Sequence, residues 1–389
     1  MATSMDRRTW LKASALLAGG TAFFPSGISS LVAMPRPAAS ALRERITEES
    51  LLTDGPPPMR ARLLANENPF GPSQKAKQAM VDSLNSSYQY PFMHYRELVQ
   101  KIAAHEGVSP ESVLLSAGSS PLLLAAAMHF SQKGGTIITG DPSYDDLVES
   151  AKEFNATIAA VPLTADYKLD LDAMEKKVDA KTALVYICNP NNPTGTVLDT
   201  AKLKAFCERV SKKVPVFVDE AYIDYLPNPE AVTLMDAVKK NQNILVARTF
   251  SKLYGFAGLR VGYVVAQPEM VKTLSKYTNG AMSISGPAIM AALASYQDKA
   301  YLSDALQKTM ASKQFLYDTL KKEGYEYIPS SANFVMFPLR MDGKRFSDEM
   351  MKRGVGIRYW KFAGKDWCRV SLGRMDEMQA FAEAFQQLS

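Results

Sequence analysis

The chain has 389 residues, 47% of them hydrophobic and 22% charged, which is the composition of a globular protein and excludes wholesale disorder. Its net charge of +5 includes a surplus of three positive charges in the first 41 residues, and no lysine- or arginine-rich run follows, so we expect no nucleic-acid partner. Three cysteines without a CxxC pair and three histidines without metal-ligand spacing argue against a disulfide framework and against a metal site.

The first residues, "MATSMDRRTWLKASALLAGGTAFFPSGISS", have the form of an export signal. Paired arginines precede an apolar run from Ala13 to Phe24, and its length of about 12 residues falls short of the roughly 20 that a membrane-spanning helix needs. "DRRTWLK" resembles the twin-arginine export motif, with Trp10 in place of the usual phenylalanine. We therefore predict a signal peptide over residues 1–41, cut after Ala41 or Ala33, no stable membrane anchor and a periplasmic protein. The alternative is an amphipathic N-terminal helix on a cytoplasmic protein.

Beyond the leader, residues 42–87 contain a proline- and glycine-rich stretch that predicts an extended arm. Short apolar runs then alternate with helical segments. Strands that are apolar on both faces and separated by helices are typical of a mostly parallel sheet with helices on either side. The predicted strands are "SVLLSAG", "GTIITG", "ATIAAVPL", "TALVYICNP", "VPVFVDEAY", "NILVART" and "LRVGYVVA". The predicted fold class is therefore α/β, with this sheet in a large domain over residues 88–284.

From about Ser285 the pattern changes. The helical segments lengthen, and the predicted strands "NFVMF", "GVGIRYW" and "WCRVSLG" follow before a final helix. This change predicts a second, smaller α+β domain over residues 285–389, which the arm of residues 42–87 joins.

Four polar features lie where predicted strands of the large domain end, which is where mostly parallel sheets bind their ligands. "SAGSSP" places Ser119 and Ser120 ahead of a helix that we expect to begin at Pro121 with Ser120 as its cap, and free N–H groups there favour an anion. "NPNNPTG" is a tight turn that presents amide side chains. "VFVDEAY" ends a buried strand with Asp219, and "TFSKLYGFAGLR" puts Lys252 in apolar surroundings. Each of these, taken singly, could be an ordinary turn or loop.

One cofactor accounts for all four features together. Pyridoxal 5'-phosphate needs an amine for a Schiff base, a carboxylate that keeps its pyridine nitrogen protonated, donors to its ring oxygen and a site for its phosphate. A buried charge without a partner is costly, and this cofactor would pair with Asp219 and neutralise Lys252. Twin-arginine export carries folded proteins, often loaded with a cofactor, and points in the same direction.

The motifs resemble those of the fold-type I pyridoxal-phosphate-dependent aminotransferases of class I/II, most closely the histidinol-phosphate aminotransferase branch. The resemblance runs from "NENPFGPS" at Asn66 to the C-terminus. Asn192 and Asp219 lie 27 residues apart, and Lys252 and Arg260 lie eight apart, as in that family. The resemblance implies a sheet sandwiched by helices, a second smaller domain, and transfer of an amino group from an amino acid, or histidinol phosphate, to a 2-oxo acid.

The resemblance also implies a role for each matching residue. Lys252 would form the Schiff base and move a proton, Asp219 would pair with the pyridine nitrogen, and Tyr144 would stack on the ring. Asn192 and Tyr222 would bond the ring hydroxyl. The phosphate would be held by Ser119, Ser120, Ser251 and Arg260.

The substrate and the partner subunit are implied in the same way. Arg369, in "WCRVSLG", would bind the substrate carboxylate, for which a guanidinium fork is well suited. Asn68, Asn333 and Arg358 would line the side-chain pocket. Tyr90 would reach the phosphate of the neighbouring subunit, so the resemblance implies a homodimer with shared active sites.

Two features depart from the family pattern. Pro121 stands where that branch usually has an acidic residue, which proline at a first helical position tolerates. The export leader has no place in cytoplasmic histidine biosynthesis and favours a substrate other than histidinol phosphate. The remaining alternatives are a decarboxylase or lyase of the same fold, a non-catalytic binding protein that kept the fold, and a cytoplasmic histidinol-phosphate aminotransferase.

Overall fold

The computed structural model describes residues 59–389, so the predicted signal peptide and the first part of the predicted arm lie outside the described residues. Its strands are β1 (Ala61–Arg62), β2 (Val113–Ser116), β3 (Thr136–Asp141), β4 (Thr157–Pro162), β5 (Thr182–Cys188), β6 (Val216–Asp219), β7 (Ile244–Thr249), β8 (Gly262–Val265), β9 (Phe334–Pro338), β10 (Val355–Gly356), β11 (Arg358–Phe362) and β12 (Lys365–Ser371).

The α-helices lie between and after these strands. They are α1 (Gln74–Ser83), α2 (Phe92–Glu106), α3 (Ser120–Ser131), α4 (Asp146–Glu153), α5 (Leu171–Lys176), α6 (Thr200–Val210), α7 (Pro229–Val232), α8 (Met235–Lys239), α9 (Pro268–Leu274), α10 (Gly286–Ser295), α11 (Lys299–Lys322), α12 (Gly343–Lys352) and α13 (Met375–Gln386). Between residues 59 and 389, every helix is too short or too polar to span a bilayer.

Seven strands form the central sheet, in the order β2-β8-β7-β6-β5-β3-β4. The pairs from β7 to β4 are parallel, whereas β8 runs antiparallel to both of its neighbours. The prediction of a mostly parallel α/β sheet is therefore confirmed. Short apolar strands separated by helices produce this arrangement because parallel neighbours need a crossover connection, which a helix supplies.

Successive residues of the central strands lie alternately in two separate apolar cores. In β5, Val185 and Ile187 belong to one cluster, while Leu184 and Tyr186 belong to the cluster on the opposite face. This alternation is the period of two that a strand imposes on its side chains. Because both faces are covered, the strand is apolar throughout.

A second lobe is built on the antiparallel sheet β11-β12-β9. The arm contacts this lobe through β1, which pairs in parallel with β10, with Ala61 opposite Val355. Ala61 and Val355 are both buried in the core of this lobe, together with Val370 of β12. The arm therefore pairs with β10 and packs against β12, which come from the C-terminal part of the chain.

The limits that we predicted for the domains, at residues 87/88 and 284/285, stay a prediction. Helices from outside the predicted large domain pack against each other and against its core: α1 contacts α10, and both Ala76 and Ala288 lie in the first apolar cluster of the central sheet.

Candidate active site

The polar residues singled out in the sequence meet at one edge of the central sheet. Asp219 is the last residue of β6, and its neighbours in the adjacent strands are Cys188 of β5 and Ala247 of β7. The loop with Asn192 follows β5, and the loop with Lys252 follows β7. Since the carboxyl ends of parallel strands lie together, three loops supply side chains to the same space.

Asp219 is a buried carboxylate with weak neutral partners. It is 1% exposed. Its Oδ1 accepts a hydrogen bond from the Ala221 N–H at 3.1 Å, and its Oδ2 accepts one from the Tyr186 hydroxyl at 3.3 Å. Burial is the largest influence and raises the pKa of Asp219 to about 6. A carboxylate of this kind is stabilised by a cation brought to it.

Lys252 is an amine beside an aromatic ring and several charged groups, Asp219 and Arg369 among them. Its Nζ lies 5.4 Å from the centroid of the Tyr222 ring, and no residue between 59 and 389 accepts a hydrogen bond from it or forms an ion pair with it. Burial, followed by the positive charge of Arg369, lowers the pKa of Lys252 to about 8. The neutral amine is therefore accessible near neutral pH, as a base or a nucleophile requires.

Tyr222 closes the space beside Lys252. It is 3% exposed, and its hydroxyl accepts a hydrogen bond from Asn66 Nδ2 at 3.0 Å. Burial raises the pKa of Tyr222, so the phenol keeps its proton and acts as a hydrogen-bond donor. Asn66 of the arm thus orients the Tyr222 side chain.

A turn of small residues and an arginine form a candidate anion site. Arg260 Nη1 donates to Ser251 Oγ at 3.1 Å and to the Ala257 carbonyl at 3.0 Å, and no carboxylate of the described chain pairs with it. A Cβ on Gly118 would overlap the Arg260 guanidinium, and a Cβ on Gly262 would lie 2.6 Å from the Gly118 backbone. Only glycines let the arginine approach this turn so closely.

The start of α3 differs from the prediction in one respect. The N-cap is Ser119, not Ser120, and Pro121 is in the first turn. Ser120 is already helical because its hydroxyl is engaged elsewhere, donating to Asp146 Oδ2 at 3.1 Å. The Ser119 side chain makes no capping hydrogen bond. The first N–H groups of this helix therefore face the turn, together with the positive end of the helix dipole.

Tyr144 is tied to the same carboxylate. Its hydroxyl donates to Asp146 Oδ2 at 2.6 Å, and burial, followed by Asp146, raises its pKa. Asp146 therefore links the aromatic ring to the start of α3. Asp146 stands in "SYDDL" close to Tyr144, but an acidic residue near a helix start is too common to indicate a site by itself.

Arg369 comes from β12 and is 2% exposed. Its Nη1 donates to Asn192 Oδ1 at 2.6 Å and its Nη2 to the Leu64 carbonyl at 2.9 Å. Its buried Nε has no acceptor in the described part of the chain. Burial is the largest influence and lowers the pKa of Arg369 to about 9. These bonds use two of the five guanidinium N–H groups, so the arginine joins the two lobes and keeps donors for a ligand.

The other predicted pocket residues differ in what they contact. Asn68 Nδ2 donates to the Leu253 carbonyl at 2.7 Å and to Tyr301 Oη at 3.1 Å, so this side chain fixes the loop that carries Lys252. Asn333 donates to the Asn66 carbonyl at 3.0 Å, while its buried Oδ1 has no partner within residues 59–389. Arg358 is exposed.

Tyr90 is not among the buried residues of the site. It is 70% exposed, with its ring 5.7 Å from that of Phe92. Within one chain, Lys252 interacts with Tyr222, Asp219 and Arg369, and Arg369 bonds Asn192, whereas Tyr90 lies on the surface.

Behind Asp219, the other face of the strand end is held by a buried ion pair. Glu220 is 2% exposed and accepts hydrogen bonds from Arg248 Nε at 3.1 Å, from Thr233 Oγ1 at 2.8 Å and from the Leu234 N–H at 2.8 Å. These bonds anchor the residue that follows Asp219. Apart from the charged residue in "VDEAY", no sequence pattern indicates these contacts.

Comparison with known proteins gives a consistent result. The family model of aminotransferase class I and II matches residues 61–385. A histidinol-phosphate aminotransferase of Carboxydothermus hydrogenoformans is 36% identical over 80% of this chain and 86% of its own, and an aromatic amino acid aminotransferase of Cutibacterium acnes is 33% identical over 84% and 92%. A solved histidinol-phosphate aminotransferase of Sinorhizobium meliloti, in complex with pyridoxal-5'-phosphate, has a TM-score of 0.80 and 25% identity, covering 95% of this chain and 100% of that one.

Proposed function

Because this chain belongs to the aminotransferase class I and II family and is an aminotransferase, we propose that it binds pyridoxal phosphate at the edge of the central sheet and transfers the amino group of an amino acid to a 2-oxo acid. The observation that carries this proposal is the pair of Asp219 and Lys252, a carboxylate whose pKa is raised and an amine whose pKa is lowered. Class I and II aminotransferases depend on this cofactor.

The residues present fit the cofactor. Asp219 has neutral hydrogen-bond partners and would be satisfied by a protonated pyridine nitrogen. Arg260 has no carboxylate partner in the described chain and, with Ser251, Ser119, Ser120 and the start of α3, would hold the phosphate. Tyr144, Asn192 and Tyr222 would contact the ring.

When bound, pyridoxal phosphate supplies a ring that withdraws electrons and so makes the substrate α-proton acidic. The chain supplies the proton transfer and the positioning. Lys252 Nζ would accept the proton from the substrate α-carbon, which only the neutral amine can do. The lowered pKa of about 8 increases that neutral fraction. Arg369 would bind the substrate carboxylate and hold the α-carbon in place.

For the donor, we propose a free amino acid. Arg369 has an unused N–H and no acidic partner in the described residues, which suits a carboxylate. The relatives include both histidinol-phosphate and aromatic amino acid aminotransferases at similar identity. The predicted leader favours a compartment other than that of histidine biosynthesis.

A donor panel tests this proposal. The loaded protein is mixed with histidinol phosphate or with aromatic and other free amino acids, and the visible absorbance and the appearance of 2-oxo acid are followed. We expect free amino acids to change the absorbance, and product to depend on an added 2-oxo acid acceptor. Conversion by histidinol phosphate only would identify a biosynthetic enzyme. Carbon dioxide released without an acceptor would favour the decarboxylase, and a colourless, inert protein the non-catalytic alternative.

We further propose that the enzyme is a homodimer in which Tyr90 of each chain reaches the site of the other. Tyr90 lies in an exposed apolar surface, which is costly for a monomer. The members of this surface are Val81, Leu84, Tyr88, Tyr90, Phe92 and Met93, each at least 48% exposed.

Met93→Glu tests the dimer, since a charge in an apolar interface disfavours association. Sedimentation of the full-length chain should give about twice its 42.8 kDa for the wild type and a smaller, less active species for the variant. The control is Met375→Glu, at an exposed methionine outside this surface, and it should leave the mass unchanged. A wild-type monomer with full activity would contradict the proposal.

Export by the twin-arginine route is likewise a proposal, and it rests on the sequence of the first 41 residues. Replacement of both Arg7 and Arg8 by lysine should retain the protein in the cytoplasm of a bacterial host, because that route reads the arginine pair. Immunoblots of periplasmic and cytoplasmic fractions would show this, with Arg36→Lys as the control. Wild-type protein found only in the cytoplasm would support the alternative localisation.

A further inference from the structure

One face of the three-stranded sheet brings two arginines together. Arg358 of β11 lies opposite Arg369 of β12, and Trp360 lies opposite Trp367. Residues opposite each other in antiparallel strands share a face, and like charges in such positions repel. The repulsion also contributes to the lowered pKa of Arg369. Arg369, the buried member of the pair, therefore requires a stabilising contact.

Trp360 provides that contact. The centroid of its ring lies 4.5 Å from Arg369 Cζ and 5.3 Å from Arg358 Cζ. Tryptophan is the strongest cation–π partner among the aromatic side chains, and the attraction increases as the cation loses water. Arg369 is 2% exposed, whereas Arg358 is exposed, so the contact matters most for Arg369.

The buried guanidinium of Arg369 has no acidic partner among the described residues. Its two acceptors, Asn192 Oδ1 and the Leu64 carbonyl, are neutral. A second ring, that of Phe334, is farther away at 5.3 Å and also packs edge-on against Tyr222 at 5.1 Å. Trp360 is therefore the nearer of the two aromatic rings that contact this guanidinium.

We propose that Trp360 is a positioning residue for substrate recognition, an inference that rests on the proposed function. Its indole face holds the planar Arg369 guanidinium against its two neutral acceptors, Asn192 Oδ1 and the Leu64 carbonyl, so that the remaining N–H groups stay available to the substrate carboxylate. A protein carboxylate in the place of the indole would compete with the substrate for these N–H groups. An aromatic face stabilises the cation without occupying a donor.

Calorimetric titration of the cofactor-loaded protein with 3-phenylpropionate tests the proposal directly, because this acid lacks an amino group and cannot be turned over. Trp360→Leu should weaken its binding about tenfold, Trp360→Phe should recover most of the loss, and Tyr359→Leu, on the opposite face of β11, should have no effect. The uncharged 3-phenylpropanamide should bind equally to wild type and Trp360→Leu. In turnover, KM for the amino donor should rise by a similar factor with kcat little changed.

Arg369→Lys in combination with Trp360→Leu separates positioning from simple apolar contact. If Trp360 acts through Arg369, its replacement should have little further effect once the guanidinium is gone. Equal losses for the acid and the amide, additive losses in the double variant, or wild-type affinity in Trp360→Leu would each overturn the proposal. If the wild type transaminates and the variants give one of these results, only this inference is contradicted. One that neither binds the acid nor transaminates contradicts the proposed function, and this inference with it.

Discussion

Lys252→Ala is expected to lower kcat by at least about 10⁴-fold, the upper range for loss of a general base. The described chain places no second amine at this position, and the residues around Lys252 are apolar, aromatic or already hydrogen-bonded. Single-turnover kinetics with the loaded variant and a good donor would measure the loss. A turnover rate equal to that of the wild type would show that Lys252 is not the base.

Lys252→Ala should also change how the rate of cofactor capture depends on pH. The pKa of Lys252 is lowered to about 8, so the amine is mainly protonated below that pH and mainly neutral above it. The neutral form is the one that reacts with an aldehyde. The cofactor-free wild type should therefore capture pyridoxal phosphate faster as the pH rises through about 8, as followed by visible absorbance. Lys252→Ala should show no such rise.

Lys313 offers a matched control for both experiments. It is a buried lysine on α11, and burial lowers its pKa to about 8 as well. Its Nζ donates to the Ser330 carbonyl at 2.9 Å. Lys313→Met should change the melting temperature but leave kcat and the pH dependence of cofactor capture unchanged. If both variants lost activity equally, the loss would reflect damage to the fold and not a missing base.

Asp219→Asn is expected to lower kcat by about 10²- to 10³-fold, comparable to the loss of one pre-organised electrostatic group in an enzyme site. The amide keeps the size of the carboxylate and the acceptor for the Ala221 N–H, but it cannot stabilise a cation. Since the carboxylate is buried and its wild-type pKa is raised to about 6, removing its charge should not destabilise the fold. Steady-state kinetics and thermal unfolding of the loaded and cofactor-free variant would measure both effects.

The neighbouring Glu220→Gln is the control for Asp219. Glu220 belongs to the same strand end but accepts its hydrogen bonds from Arg248, Thr233 and Leu234. Breaking this buried ion pair should lower the free energy of unfolding by about 3 kcal/mol while the folded enzyme retains its kcat. The opposite pattern, with the larger kinetic loss at Glu220, would contradict the role that we assign to Asp219.

The sheet and the residues at its edge were predictable because their signals are local. Strands apolar at every position predict a two-sided sheet, and a polar residue such as Asp219 at the end of such a strand is unusual enough to notice. Lys252 is unusual for the same reason. The spacing of motifs then connects them to a family.

The supporting contacts were not predictable because they depend on pairs that are distant in sequence. Tyr186, which donates to Asp219, resembles any apolar strand residue, and Asp146 resembles a helix-start acid. The stacking of Trp360 on Arg369 follows from the register of β11 and β12, which "GVGIRYW" does not specify. The N-cap of α3 was misplaced by one residue because Ser119 and Ser120 are equally good caps, and the hydrogen bond to Asp146 decides between them.

The pairing of the arm with the second lobe bears on when the site can form during synthesis. The Leu64 carbonyl and Arg369 are 305 positions apart in the chain, and Ala61 finds its partner strand only at Val355. Until the ribosome has produced nearly the whole polypeptide, the arm has nothing to pair with and Arg369 does not exist. A nascent chain therefore cannot assemble this site in stages from its N-terminus, and contacts of such long range are expected to make its completion a slow, late event in folding.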